Sequence, residues 1–186
     1  GLVSDESPRL LAVDATTRLY FEPAADFRGT VSDVISFKAW DRNVIWQQLG
    51  LDIDGEAGGD SFGWSVSIAS DGQTIAIGAQ TNDSNGSNAG QVRVYSWDGS
   101  GWNQRGDNID GELPESRSGR SVSLSADGET LAVGAYWNSE VANLAGHVRI
   151  YSWNGSNWTQ LGVDIDGEEG NERFGYSVSL SGDGQT

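Results

Sequence analysis

Short apolar segments alternate with period two along most of the chain, and turn-forming residues bound each of them. In SVSIAS (65–70) and SVSLSA (121–126) serine alternates with valine, isoleucine or leucine, the two-residue period of strands rather than the 3.6-residue period of helices. Each run stops at an Asp-Gly pair, Asp71-Gly72 or Asp127-Gly128, where glycine accepts the positive φ of a tight hairpin. TIAIGA (74–79) or TLAVGA (130–135) supplies a second strand. A polar loop, QTNDSNGSNAG (80–90) or YWNSEVANLAG (136–146), precedes a third, QVRVYSW or HVRIYSW. Turns through DGSG (98–101) and NGSN (154–157) then lead into WNQRG and WTQLG. The pattern predicts four antiparallel strands in a meander, used repeatedly.

The repeat is gapless, with a period of 56 residues that spaces Trp46, Trp102 and Trp158, Gly63, Gly119 and Gly175, and Asp71, Asp127 and Asp183. Two copies are complete, 46–101 and 102–157; a third, 158–186, stops just after its Asp183-Gly184 turn. The strand that should follow that turn is missing, so an unpaired edge is predicted there. One four-stranded sheet of this size cannot hide both faces, and its strands set Ala, Gly and Ser opposite Val, Ile and Leu, as stacking of neighbouring sheets requires. Radial stacking of such meanders is a β-propeller of about four to eight blades; an open β-solenoid is the alternative. The expected fold is all-β, a partial propeller of roughly two and a half blades. Its ring is completed by further blades of the same polypeptide or by several copies.

Composition narrows the function classes. Twenty-seven acidic residues against 11 basic ones give a net charge of −16, and Lys38 is the only lysine. A basic face for phosphate tracking is absent, which argues against nucleic acid as partner. With no cysteine and His147 as the single histidine, a disulfide framework, a thiolate nucleophile and a multi-histidine metal centre are excluded, so metal chemistry is expected to rest on oxygen ligands. No apolar run approaches the ~18 residues of a membrane span, and the start GLVSDESPRL lacks the regions of a signal peptide. The lack of any methionine suggests excision from a longer polypeptide.

The repeating unit resembles the FG-GAP repeats of integrin-α-like propellers over residues 46–186. Phe62-Gly63 opens FGWSVSIASDGQTIAIGAQ and Phe174-Gly175 opens FGYSVSLSGDGQT, while the middle copy reads SGRSVSLSADGETLAVGAY with Ser118 in place of phenylalanine. The closing GAP stands as GAQ and GAY. Residues 1–42 do not repeat, and RLYFEPAADFRGTVSDVISFKAWD resembles the end of a bacterial cadherin-like or immunoglobulin-like surface module, on Asp26, Phe27, Gly29 and Thr30. Such modules continue with glycine after the last aspartate, whereas Arg42 follows Asp41. Alternatively ISFKAW (35–40) and IWQQLG (45–50) close a preceding blade, since AWDRNVIW echoes YSWDGSGW.

Between blades the chain carries LDIDGEAGGD, DNIDGELPES and VDIDGEEGNE. Asp52, Asp54, Glu56 and Asp60 in the first copy, and Asp164, Asp166, Glu168 and Glu172 in the third, are candidate Ca²⁺ ligands, because that ion takes six to eight oxygens. Asn108, Asp110, Glu112 and Glu115 of the second copy are spaced less favourably. The same aspartates can instead fold their own turns. Integrin-type cation loops, which the resemblance places in the first hairpin, do not carry over: SDGQT, ADGET and GDGQT have one aspartate each, and Asp71, Asp127 and Asp183 read as turn formers.

Six tryptophans recur: Trp46, Trp102 and Trp158 start strands, while Trp97 and Trp153 end them and Trp40 resembles that pair, an arrangement suited to cross-strand packing. Trp64 and Trp137 have no tryptophan counterpart in the sister copies and are the candidates for ligand contact. His147 stands where the first copy has Gln91, so it reads as a polar strand position rather than a catalytic base. Carboxylates that recur with every blade do not form the single asymmetric constellation an enzyme needs. The variable loops 81–90 and 137–146 are where specificity would sit. The expectation is a non-enzymatic extracellular or cell-surface module for adhesion or scaffolding, with a surface protein or glycan as ligand and Ca²⁺ as its possible cofactor. A lectin-like propeller is the alternative, and a glycosidase fragment ranks below it. Bacterial origin and surface location follow from the resemblance.

Overall fold

The computed structural model describes residues 48–186, which belong to a compact unit running Trp46–Thr186. The readings of residues 1–42, of Trp40 and of Trp46 lie outside the described residues. The described chain is all-β. Its first sheet contains β1 (Phe62–Ile68), β2 (Thr74–Ala79), β3 (Gln91–Trp97), β4 (Trp102–Gln104) and β5 (Ile109–Asp110). A second contains β6 (Ser118–Leu124), β7 (Thr130–Ala135), β8 (His147–Trp153), β9 (Trp158–Gln160) and β10 (Ile165–Asp166). Both are antiparallel meanders, β1-β2-β3-β4 and β6-β7-β8-β9, related by the 56-residue period.

The outermost strand of each blade comes in two pieces, which the sequence pattern did not anticipate. β4 pairs with the far end of β3 through Trp97↔Trp102, whereas β5 pairs with its near end through Gln91↔Asp110 and Val92↔Ile109. The acidic segment between blades is thus partly a strand, and in β10 Asp166 lies opposite His147. The tryptophan pairs pack as the sequence implied, with ring centroids 5.6 Å apart for both Trp97–Trp102 and Trp153–Trp158. Their indole N–H groups also tie neighbours together: Trp102 donates to the Leu49 carbonyl and Trp158 to that of Arg105.

The core lies between the sheets. Ala76, Val92 and Val94 of the first blade meet Val122, Leu124, Leu131 and Val133 of the second. Val122 and Leu124 are 9% and 8% exposed, but their equivalents Val66 and Ile68 are each 56% exposed. The same side chains are therefore buried only where another blade covers them, and the burial of apolar surface that drives folding acts between repeats.

Polar rungs set the spacing of the blades. Ser65 Oγ donates to the Gly119 carbonyl and Ser121 Oγ to that of Gly175, both at 2.8 Å. Ser67 Oγ accepts the Leu124 N–H and Ser123 Oγ that of Leu180, both at 2.9 Å. Backbone bonds from Ser118 N to Ala89 O and from Phe174 N to Ala145 O add a third repeated link. These contacts explain the FG and GA dipeptides. Gly63 and Gly119 sit at positive φ, at bulges where the β1-β2 and β6-β7 registers shift. Gly78 and Gly134 face the carbonyls of Gly119 and Gly175 in the next repeat, so closely that a β-carbon would collide with them.

Asp71, Asp127 and Asp183 each accept a backbone N–H two residues on, from Gln73, Glu129 and Gln185, the geometry of an Asx-turn. Residues 175–186 dock on the second blade through Ser121, Ser123 and Ala126 but form no ladder, because a strand is defined by the partner it pairs with.

Gly78→Ala or Gly134→Ala should each cost about 1–3 kcal/mol, the range for overpacking at a backbone contact. Gly101→Ala, which faces open space, should be neutral; urea unfolding of the three variants compares them. Asp98 accepts bonds from the Ser100 backbone N–H and hydroxyl and from the Gly101 N–H, which hold its pKa down to about 2 from an ordinary 3.8. A carboxylate depressed in the folded state stabilises above its unfolded pKa and loses that contribution as pH falls through about 2. Asn154 makes the same three bonds in the second blade, so Asp98→Asn should fold normally. In unfolding measured from pH 5 to pH 2, the variant should lack the part of the acid sensitivity that Asp98 supplies.

Candidate functional site

Two groups of side chains depart from the repeat, and each gathers around an arginine. The first stands at the near end of β8. Arg93 and Arg149 are equivalent residues, on β3 and β8, and both are buried. In the first blade Arg93 lies over the Phe62 ring, 4.1 Å from its centroid, and donates to the Asp54 carbonyl, with Glu56 at 3.8 Å. In the second blade Ser118 replaces the ring, and Arg149 keeps the equivalent glutamate, Glu112, and gains Asp164. Its Nε and Nη2 reach Asp164 Oδ2 at 3.0 and 2.7 Å, and Nη2 also pairs with Glu112.

Asp164 is further fixed by Gln160 Nε2, which donates to Oδ1 at 2.7 Å. Burial alone would raise the Asp164 pKa, but the bonds from Arg149 and Gln160 and the arginine's charge bring it below the usual range. His147 Nδ1 lies 3.3 Å from Asp164 Oδ2 and 4.0 Å from Asp166 Oδ1. Burial, followed by the charge of Arg149, lowers the histidine's pKa against the opposing pull of Asp164, Asp166 and Glu112. Both effects favour the neutral imidazole. Glu140, from the loop after β7, completes a group in which one donor atom each of Glu140, His147 and Asp164 lies within 4.8 Å of the other two. Among the described residues this is the one such group of three. The reading that a metal centre would rest on oxygen alone missed it, because His147 was matched only with Gln91. Aligning Glu140 with Ser84 and Asp164 with Asn108 as well shows three metal-capable replacements falling together.

The candidate calcium ligands are held as follows. Asp52 accepts from Gln48 Nε2 at 2.7 Å, Asp54 offers its carbonyl to Arg93, and Glu56 pairs with Arg93. Asp60 is buried and accepts from Asn82 Nδ2 at 2.9 Å. In the third copy Asp164 and Asp166 face His147, while Glu172 accepts the Glu168 N–H. The structure thus draws Asp164 and Asp166 together at β8 and engages most of the others with separate partners. Replacement of Asp60 by Ser116 in the second blade leaves Asn138 Nδ2, the counterpart of Asn82 Nδ2, without a hydrogen bond.

The second group lies on the first strands. Trp64, Arg120 and Tyr176 occupy one repeat position, each closing a turn by donating its N–H to Ser61, Arg117 or Arg173. The Arg120 guanidinium is 5.0 Å from the Trp64 ring centroid, 4.2 Å from Tyr176 and 5.4 Å from Tyr136. Trp64 and Tyr176 are 51% and 53% exposed. Trp137, which takes the place of Thr81, is half-buried beside Tyr136, with Arg117 4.1 Å above its ring. The two tryptophans singled out in the sequence are thereby linked through Arg120 and Tyr136.

Arg149→Ala should destabilise by about 2–3 kcal/mol in urea unfolding, reduced from the full cost of orphaning a buried charge because Asp164 is partly exposed. Glu112→Gln removes a half-exposed partner and should cost less than about 1 kcal/mol.

Comparison with known proteins fits this geometry. No curated protein matches the chain. The family model described as FG-GAP repeat matches residues 51–95, the span of the first acidic segment, β1, β2 and most of β3. That stretch is similar to an FG-GAP repeat, and the second blade repeats its strand order and its blade-to-blade contacts.

Proposed function

We propose that this chain is a non-enzymatic, extracellular adhesion or scaffolding module of the integrin-like propeller type, which recognises a surface protein or glycan. The observation that carries the reading is the Trp64–Arg120–Tyr176 row. Neighbouring scaffold positions are the same in every copy, Gly63, Gly119 and Gly175 before the row and Ser65, Ser121 and Ser177 after it, while the row itself changes in each. Variation on a constant, rigid frame suits recognition, and aromatic and arginine side chains are enriched where binding energy concentrates. Glycan binding is the second reading, favoured by the half-exposed indole of Trp64. Further blades of the same polypeptide are the natural cover for the Val66 and Ile68 face. Ca²⁺ enters this reading through the acidic segments, whose carboxylates would exchange their present hydrogen bonds for the ion.

Arrays of immobilised glycans and matrix proteins, probed with the whole chain and with Trp64→Ala and Tyr176→Ala, test the reading. Binding to proteins, weakened at least about tenfold by either substitution, supports adhesion; binding confined to glycans supports the second reading. Turnover of chromogenic glycosides, or binding that ignores both substitutions, would reject the proposal.

A further inference from the structure

We infer that Glu140, His147 and Asp164 form a binding site for a divalent ion of the zinc type, separate from the acidic turns considered for calcium. Three observations carry this. First, donor atoms of the three side chains converge within 4.8 Å of one another, from the loop after β7, from β8 and from the segment before β10. Second, the His147 side chain is 4% exposed, yet its Nδ1 faces Asp164 and has no hydrogen-bond partner. A buried polar nitrogen left unpaired is costly unless something else engages it. Third, the first blade offers Ser84, Gln91 and Asn108 at these positions. There Gln91 Nε2 donates to Asp110 and Asn108 accepts from Gln104. In the second blade all three give way to metal-capable residues that lie together, the aspartate being shared with Asp52 of the first copy.

The donor set selects the ion. One imidazole with two carboxylates suits zinc and its transition-metal neighbours, and three protein ligands leave a position open toward solvent. Calcium prefers six to eight oxygens and has little use for a buried imidazole. Gln160 holds Oδ1 of the Asp164 carboxylate and Arg149 holds Oδ2, the oxygen that also faces His147, and such hydrogen bonds orient a ligand. The guanidinium's charge would oppose a cation, but Glu112 pairs with it, and Glu140, Asp164 and Asp166 still leave the groove negative.

Because His147 is the chain's one histidine, its ring resonances report on the site without ambiguity. In the whole chain, Zn²⁺ added to metal-free protein should move the His147 ring nitrogen signals to an end point at one equivalent, whereas Ca²⁺ should leave them in place. Glu140→Ser, His147→Gln and Asp164→Asn install the first blade's own residues. Each should weaken Zn²⁺ binding in calorimetry at least about tenfold, as losing a ligand or its orienting partner does. Glu140 is exposed, so Glu140→Ser keeps the test decisive even if a buried variant fails to fold. Ring signals that ignore a tenfold excess of Zn²⁺, or respond equally to Ca²⁺, would overturn the inference, as would wild-type affinity in Glu140→Ser.

Discussion

The close approach of one blade's second strand to the next blade's first strand is the contact on which this structure depends. Gly78 and Gly134 leave no room for a side chain, because the carbonyls of Gly119 and Gly175 occupy the space a β-carbon would need. At that distance serine is long enough to bridge the blades, and it does so at 65, 67, 121 and 123. A larger residue at either glycine would separate the sheets, lengthen all of these bonds and loosen the apolar layer of Val92, Val94, Val122 and Leu131 behind them. The FG and GA dipeptides are therefore two halves of one joint, contributed by successive repeats rather than by one.

Most of this was legible in the sequence, because it follows from local periodicity and turn chemistry. The period-two serine runs gave β1 and β6, the Asp-Gly pairs gave their turns, and the tryptophan spacing gave the Trp97–Trp102 and Trp153–Trp158 pairs. What escaped was non-local. Ile109-Asp110 and Ile165-Asp166 are too short to show any period, and they become strands only because the near ends of β3 and β8 lie free beside them. The joint between glycines was likewise invisible, since it links residues about forty positions apart through space.

The candidate sites were legible in another way, as departures from the repeat. A scaffold that is copied with its hydrogen bonds provides an internal control, and each mismatch shows what the copied interaction supplied. Ser116 in place of Asp60 orphans Asn138 Nδ2; with Ser118 in place of Phe62 the arginine has no ring to lie over and bonds Asp164. Against Gln91 alone, His147 is an innocuous polar substitution. Its significance lies in company, because Glu140 and Asp164 change with it and the fold brings the three together. Position-by-position comparison sees three tolerated substitutions where the folded chain has one chemical group.

The division of labour between common and divergent positions has an energetic basis. Stability in a stacked array is a sum of repeat and nearest-neighbour terms, so residues at the joint between blades are constrained twice, by their own sheet and by the next one. Those at the near end of β8 and along the Trp64–Arg120–Tyr176 row are constrained less, since the contacts their side chains make between repeats lie outside the glycine and serine joint. They can exchange a ring for a guanidinium, or an amide for an imidazole, without altering the spacing of the sheets. The positions free to acquire chemistry are thus the ones the glycine and serine joint does not need, and both candidate sites in this chain are found there.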